Sequence, residues 1–237
     1  MRLYTAPALS RGLQILEFLS TQKTPLTLHS IASQLNMSVS HIYRIMQVLH
    51  THDYIKKDKN TESFALTPKL FLLSMNFRDN STLFDAVSPI LEEISSYTKQ
   101  SVHFAIQTDK NISVIARSHL HNEAGFVVRI GYTKPMQNTN SGLLLLAFAS
   151  KEEREAVLKV DKALEKTFAK ICKDGYYMNY SYYAKGIIDI SIPLFSKFSK
   201  NVIGALTIPY VYIEGRSLSL KETAKYIRSF SPCVIPF

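Results

Sequence analysis

Residues 8–66 carry three apolar stripes of helical period in close succession and then two short runs of strand character, an order that few small folds accommodate. Leu9, Leu13, Leu16 and Leu19 fall at i, i+4, i+7 and i+10, flanked by Ile15 and Phe18, and predict a first helix over about 8–20. Thr24-Pro25-Leu26-Thr27 interrupts it, and Thr27 is placed to cap a short second helix, Leu28 to Leu35, with Ile31, Ala32 and Leu35 inward. After the tight turn Asn36-Met37-Ser38, Ser38 caps a third helix whose Ile42, Ile45, Met46 and Leu49 share one face. The opposite face falls to Ser40, Arg44, Gln47 and Thr51, with His41 and Tyr43 on its flanks. Tyr54-Ile55-Lys56-Lys57-Asp58 and Ser63-Phe64-Ala65-Leu66 then bracket Lys59-Asn60-Thr61-Glu62 as a hairpin. Helix, helix, turn, helix and hairpin make a winged helix-turn-helix.

Such a helix enters the major groove only if its outer face is small enough to approach and carries donors for base edges or phosphates. Ser40, His41, Tyr43, Arg44 and Gln47 meet both needs, and Arg11 and Ser38 join the candidate DNA-binding set. Arg44 can bridge guanine or clamp a phosphate and Gln47 can pair adenine; the sequence does not choose. Lys56, Lys57 and Lys59 would lay the hairpin along a phosphate strand. Taken singly, such residues are equally a solvated face; the complete order of elements favours the DNA reading. Charge leans the same way: of a formal net +9, residues 1–78 hold nine Lys/Arg against four Asp/Glu, or +5 in a third of the chain.

At 237 residues, 46% of them hydrophobic, the chain has material for two cored domains. A helix from Thr67-Pro68 to about Phe77 and a periodic one over Ser81 to Tyr97 place the boundary near Asn80, giving domains 1–80 and 81–237. Beyond it, strand-like runs at 101–107, 112–117 and 126–130 precede helices at about 140–149, 151–158 and 161–173. Strands at 187–194 and 202–210 and a last helix at about 218–230 follow, an α+β pattern with a largely antiparallel sheet.

Two cysteines, Cys172 and Cys233, form no metal-binding or disulfide pattern and suit a reducing cytoplasm. His103, His119 and His121 lack ligand spacing and read as ordinary histidines. No apolar run approaches a membrane span, the longest being Gly142 to Ala149, and no cofactor motif is present. A nucleophile elbow, a phosphate-cradling glycine loop and a metalloprotease motif are all missing, so the expectation is a protein that is not an enzyme.

Ser10-Arg11-Gly12-Leu13-Gln14-Ile15-Leu16, Leu26-Thr27-Leu28 with Ile31-Ala32, and Ser40-His41-Ile42-Tyr43-Arg44 with Leu49 resemble the N-terminal domain of the IclR (isocitrate lyase regulator) family. Pro89-Ile90-Leu91-Glu92-Glu93-Ile94, Gly131 with Pro135-Met136, Ser141-Gly142, Gly175-Tyr176, Gly186 followed by Pro193, and Gly204-Ala205-Leu206-Thr207 are similar to its later marks, in order. The resemblance covers about residues 8–230. It implies a GAF-like effector-binding domain, a homodimer or dimer of dimers, and regulation of operator DNA by a small molecule. The family's effector positions fall on Asn140, Ser141, Asn179, Asp189 and Thr207. The chain departs from the family where Leu143 replaces lysine, Asn179 an acid, Asp189 a cysteine and Pro209 a hydroxyl. An unpaired Asp189 would repel the carboxylates that many relatives hold, implying a polyhydroxylated or cationic effector with Tyr176, Tyr177, Tyr180, Tyr182 and Tyr183 reshaping the wall. The plainer alternative pairs Asp189 with a structural Lys or Arg and leaves the tyrosines as packing. A DNA-binding protein whose C-terminal domain only dimerises, with a degenerate pocket, and a protein-interaction module using the basic hairpin are the competing functions.

Overall fold

The computed structural model describes residues 6–76, 78–119, 125–231 and 233–235, and His121 lies outside them. The chain divides into two compact units, residues 1–80 and 81–237.

In the first unit α1 (Pro7–Ser20), α2 (Leu28–Gln34) and α3 (Val39–Thr51) close on a core of Ile15, Leu16, Leu19, Ile31, Ala32, Ile42, Met46 and Leu49. The α1 stripe is rotated from the expected one. Gly12, Ile15, Leu16 and Leu19 are buried, whereas Leu9 and Leu13 are 64% and 51% exposed. Thr27 caps α2 by accepting from the Ser30 N–H, but Ser38 holds the N-cap position of α3 without a side-chain bond, so its hydroxyl stays free for other partners. Leu26–Thr27 is also a strand, β1. It joins β2 (Ile55–Lys57) and β3 (Ser63–Leu66) in an antiparallel sheet of order β1-β3-β2. A two-residue strand has no readable period, so a Thr-Pro segment that interrupts helices hid it. Helix α4 (Lys69–Met75) follows, and Phe77, its expected end, is outside the described residues.

Helix α5 (Arg78–Thr98) begins before the unit boundary and supplies Leu83, Val87, Leu91 and Ile94 to the second core. The boundary near Asn80 thus falls in the first turn of a helix rather than in a loop. The second unit is built on a sheet of β4 (Val102–Thr108), β5 (Asn111–Ser118), β6 (Thr133–Pro135), β7 (Tyr177–Tyr180), β8 (Ile188–Ser196), β9 (Val202–Tyr210) and β10 (Cys233–Ile235). Its order is β10-β8-β9-β4-β5-β6; β7 lies along the other end of the β8 edge, and the β10–β8 pairing is the parallel one. The expected strand at 126–130 does not form. Residues 125–129 run without strand pairing, half-exposed, and the hydroxyl of Ser101 donates to the Phe126 carbonyl. β6, β7 and β10 were not anticipated; each is three or four residues long and finds its partners only in the sheet.

Pleating sorts the strand residues onto two faces. Phe104, Ile190, Ile192, Leu206 and Ile208 pack with α5 and with α9 (Leu220–Ser229). Ala105, Ile112, Val114 and Ala205 pack against α6 (Asn140–Phe148) and α8 (Lys162–Asp174), between which lies α7 (Lys151–Val157). Helix α6 is apolar all round, with Leu143 to Ala147 buried, because it is covered on every side. Two glycines set the spacing of these layers. A Cβ on Gly142 would lie 2.2 Å from the Met136 carbonyl oxygen, and one on Gly204 would lie 2.3 Å from the Phe104 ring.

Candidate functional site

The exposed face of α3 presents Ser40, His41, Tyr43, Arg44, Gln47 and Thr51, because its apolar residues are committed to the core on the other side. Arg11 reaches across from α1, its Nη1 2.6 Å from His41 Nε2, so the two expected residues are one linked pair in which neutral imidazole accepts. Lys56, Lys57 and Lys59 are exposed, yet they do not act as one row. Lys56 and Lys57 are successive strand residues and point to opposite faces of the hairpin. Lys57 is also engaged, paired with Glu62 across the turn and 5.9 Å from the Phe64 ring centroid. Asp58 Oδ1 ties the turn by accepting from the Asn60 and Thr61 N–H groups, bonds that hold its carboxyl below the usual range.

The second unit holds a cavity of about 260 Å³ on the α6 face of the sheet. Strand register builds its floor. His103 and Thr207 are cross-strand neighbours on β4 and β9, and Asp189 lies on β8 two residues before Ser191, the buried partner of Thr207, on the same face. The N-terminal turn of α6 adds Asn140 and Ser141, and Thr139 caps it by accepting from the Gly142 N–H. Phe126, Val127, Val128 and Arg129 from the unpaired segment, Tyr132, and Ser181, Tyr182 and Tyr183 from the β7–β8 connection complete the walls. Tyr132 and Tyr183 meet edge to face, and the Lys134 ammonium lies 5.6 and 5.0 Å from their two ring centroids.

Asn140, Ser141, Asp189 and Thr207 come together in the lining of this cavity. Asn179 does not: it is absent from the cavity lining and exposed, and its side chain is spent on the Tyr177 hydroxyl and the Tyr180 N–H. Its carbonyl, with those of Tyr180 and the Asp189 carboxylate, accepts from Asn140 Nδ2 at 3.1 to 3.2 Å. All three partners are acceptors, which fixes the amide orientation and leaves Asn140 Oδ1 buried without a donor. Among the described residues Asp189 has no Lys or Arg partner; it is held by Asn140 and Ser181, and burial pushes its carboxyl up to about 6 against those two bonds. The expected pairing of Asp189 with a Lys or Arg is not made among the described residues. Of the tyrosines, Tyr182 and Tyr183 line the cavity, whereas Tyr176 lies under the Arg228 guanidinium, 4.3 Å from its ring centroid.

His103 is the site residue that sequence reasoning passed over. It is 7% exposed, burial holds its imidazole down to about 4, and Nδ1 has no partner among the described residues. A polar residue inside the otherwise apolar run Val102-His103-Phe104-Ala105-Ile106 was the signal available. Thr207 and Ser191 satisfy each other at 2.8 Å.

The IclR helix-turn-helix domain model matches residues 8–59, and the model for the bacterial transcriptional regulator IclR C-terminal domain matches residues 76–230. The HTH-type transcriptional regulator KdgR of Escherichia coli K12 is 24% identical over 205 residues, 81% of this chain and 78% of the relative. XynR of the same organism is 23% identical over 214 residues, 85% and 84% of the two chains. Among solved structures, an IclR homologue from Microbacterium hydrocarbonoxydans complexed with 4-hydroxybenzoate shares the fold at a TM-score of 0.79 and 20% identity, covering 94% of this chain and 95% of that one. No helix among the described residues is long and apolar enough to cross a membrane. With helix-turn-helix and C-terminal models matching in order along most of its length, the chain belongs to the IclR family of DNA-binding transcriptional regulators with an effector-binding C-terminal domain.

Proposed function

We propose that α3 is the recognition helix and that the cavity of the second unit is the effector site through which a small molecule controls operator binding. The carrying observation is the presence in one chain of an exposed polar face on α3 and a partly open cavity lined by Asp189, His103, Ser141 and Thr207. A lining that brings a carboxylate, an imidazole and hydroxyls to one cavity offers a small polar molecule hydrogen-bond partners. This favours a ligand-switched regulator over one whose C-terminal domain only pairs subunits.

Arg44 and Gln47 read base edges, Ser40 and Ser38 permit close approach, Tyr43 and the Arg11–His41 pair meet the backbone, and Lys56 and Lys59 hold a phosphate strand. Lys57 contributes only after leaving Glu62. A two-fold dimer, or a dimer of dimers, sets two α3 helices in half-sites one or more helical turns apart on duplex DNA. An operator partner places the protein in the cytoplasm. Effector occupancy biases two conformations of different operator affinity, with α5 as the continuous element that enters the second core.

The test is selection of genomic fragments by the purified protein, wild type beside Arg44→Ala, in moderate salt. Enrichment of a palindromic site by the wild type and loss of about 1–3 kcal/mol of affinity in the variant are expected. Equal enrichment by both proteins removes Arg44 from the interface. Enrichment by neither, repeated with pooled metabolites, removes the recognition-helix assignment.

A further inference from the structure

The outward stripe of α3 contains an apolar residue among its polar ones. At about 100° per residue and measured from Arg44, Thr51 and Ser40 lie at about −20° and −40°, Val48 and His41 at about +40° and +60°, and Gln47 at about −60°. Val48 is therefore inside the polar stripe, beside Arg44 and near its middle. It is 58% exposed, more than any other valine among the described residues, whereas Val39 and Ile45 on the flanks of the same helix pack against the first core.

Neither helix formation nor packing explains it. Valine forms helix less readily than alanine or the long polar residues, and a side chain this exposed gains little from burial within the unit. On an ordinary surface a single exposed valine needs no explanation; this one lies on the face assigned to DNA. The major-groove edges of the base pairs carry donors, acceptors and a single apolar group, the thymine C5-methyl. Of the stripe's side chains, Val48 alone has no polar atom to offer a donor or an acceptor. Branching at Cβ holds its χ1 to one preferred rotamer in a helix, so its methyl groups are presented in place and lose little freedom on contact. Arg44 and Val48 are four residues apart, about 6 Å along the helix, against about 3.4 Å between successive base pairs. Val48 thus addresses a base pair of its own, about two steps from the Arg44 contact.

Resting on the recognition-helix reading above, we propose that Val48 is a specificity-determining residue of the DNA interface. Its methyl groups pack on the C5-methyl of one thymine in each operator half-site, which selects thymine over cytosine there.

The experiment takes the palindromic site that the wild-type protein enriches and replaces each thymine of one half-site in turn by deoxyuridine, which removes the C5-methyl and keeps every hydrogen-bonding group. Affinity is measured by fluorescence anisotropy for the full-length wild type, Val48→Ala and Arg44→Ala. Alanine at an exposed helical position favours the fold, so Val48→Ala reports on the interface. One thymine is expected whose demethylation weakens wild-type binding about fourfold, the equivalent of about 0.8 kcal/mol for one methyl group, and leaves Val48→Ala unchanged. Arg44→Ala, weaker throughout, should keep the fourfold effect. A wild type indifferent to every replacement, a half-site without thymine, or a deoxyuridine effect of equal size in Val48→Ala overturns the thymine contact, while the affinity lost in Arg44→Ala still keeps α3 in the groove. If neither variant differs from the wild type on the enriched site, α3 is not in the groove and both readings fall. Failure to enrich any site, with or without pooled metabolites, removes both as well.

Discussion

Replacing Asp189 by asparagine should stabilise the second unit at neutral pH and uncover a pH dependence that the wild type conceals. The Asp189 carboxyl titrates at about 6 in the folded chain against 3.8 for an unperturbed one. Below 3.8 it is neutral in both states; as the pH rises, the unfolded chain ionises first, so stability is lost up to about 6. At 1.36 kcal/mol per pH unit the loss is about 3 kcal/mol. His103 runs the other way. Its imidazole titrates at about 4 when folded against 6.5 unperturbed, so about 3 kcal/mol is lost as the pH falls between those values. Between about pH 4 and 6 the two slopes oppose each other. Asp189→Asn removes one of them. Urea denaturation followed by circular dichroism and tyrosine emission, the chain having no tryptophan, is the assay. The variant should exceed the wild type by about 3 kcal/mol near pH 7.5 and by about 1 kcal/mol near pH 4.5. Loss of the Ser181 bond can lower both differences by about 1 kcal/mol, but the change between the two pH values stays near 2. A difference that does not vary with pH would falsify the assignment of Asp189 as a buried carboxylate without a cationic partner.

Lys56→Ala should weaken operator binding about equally across sequences and reduce the slope of log affinity against log salt by about one, as measured by anisotropy at several salt concentrations; an unchanged slope takes the hairpin off the phosphates. Gly142→Ala should cost about 1–3 kcal/mol in urea denaturation, since the new methyl meets the Met136 carbonyl and neither backbone segment can yield freely; a neutral result means that the α6 start shifts without penalty. Thr27→Ala should cost about 1 kcal/mol through the lost cap of α2, read in the same assay, and an unchanged midpoint would mean that β1 alone holds that turn.

The helices were legible because their pattern is long. In α3, Ile42, Met46 and Leu49 repeat over about two turns, so both the core face and the polar face opposite followed from spacing alone. Periodicity was less informative in α1, where Leu9 and Leu13 fit a stripe but face outward while Gly12 is buried, its missing side chain leaving room beside Ile45. The short strands β6, β7 and β10 were invisible, and 126–130 misled: Phe126-Val127-Val128 are β-formers, but they line a cavity rather than pair.

The amino-acid sequence by itself determined the order of the elements, the outer face of α3 and the family, because local spacing and motif order carry them. Tertiary structure alone decided the cavity. Asp189, Asn140 and His103 belong to three separate elements and meet only through strand register and the seat of α6, which Gly142 makes possible. Register sets Asn179 opposite Asp189, but its side chain turns to the Tyr177 hydroxyl and the Tyr180 N–H and leaves its carbonyl for Asn140. Whether a buried polar group is paired depends on what the fold brings within hydrogen-bonding distance, and no spacing along the chain encodes that.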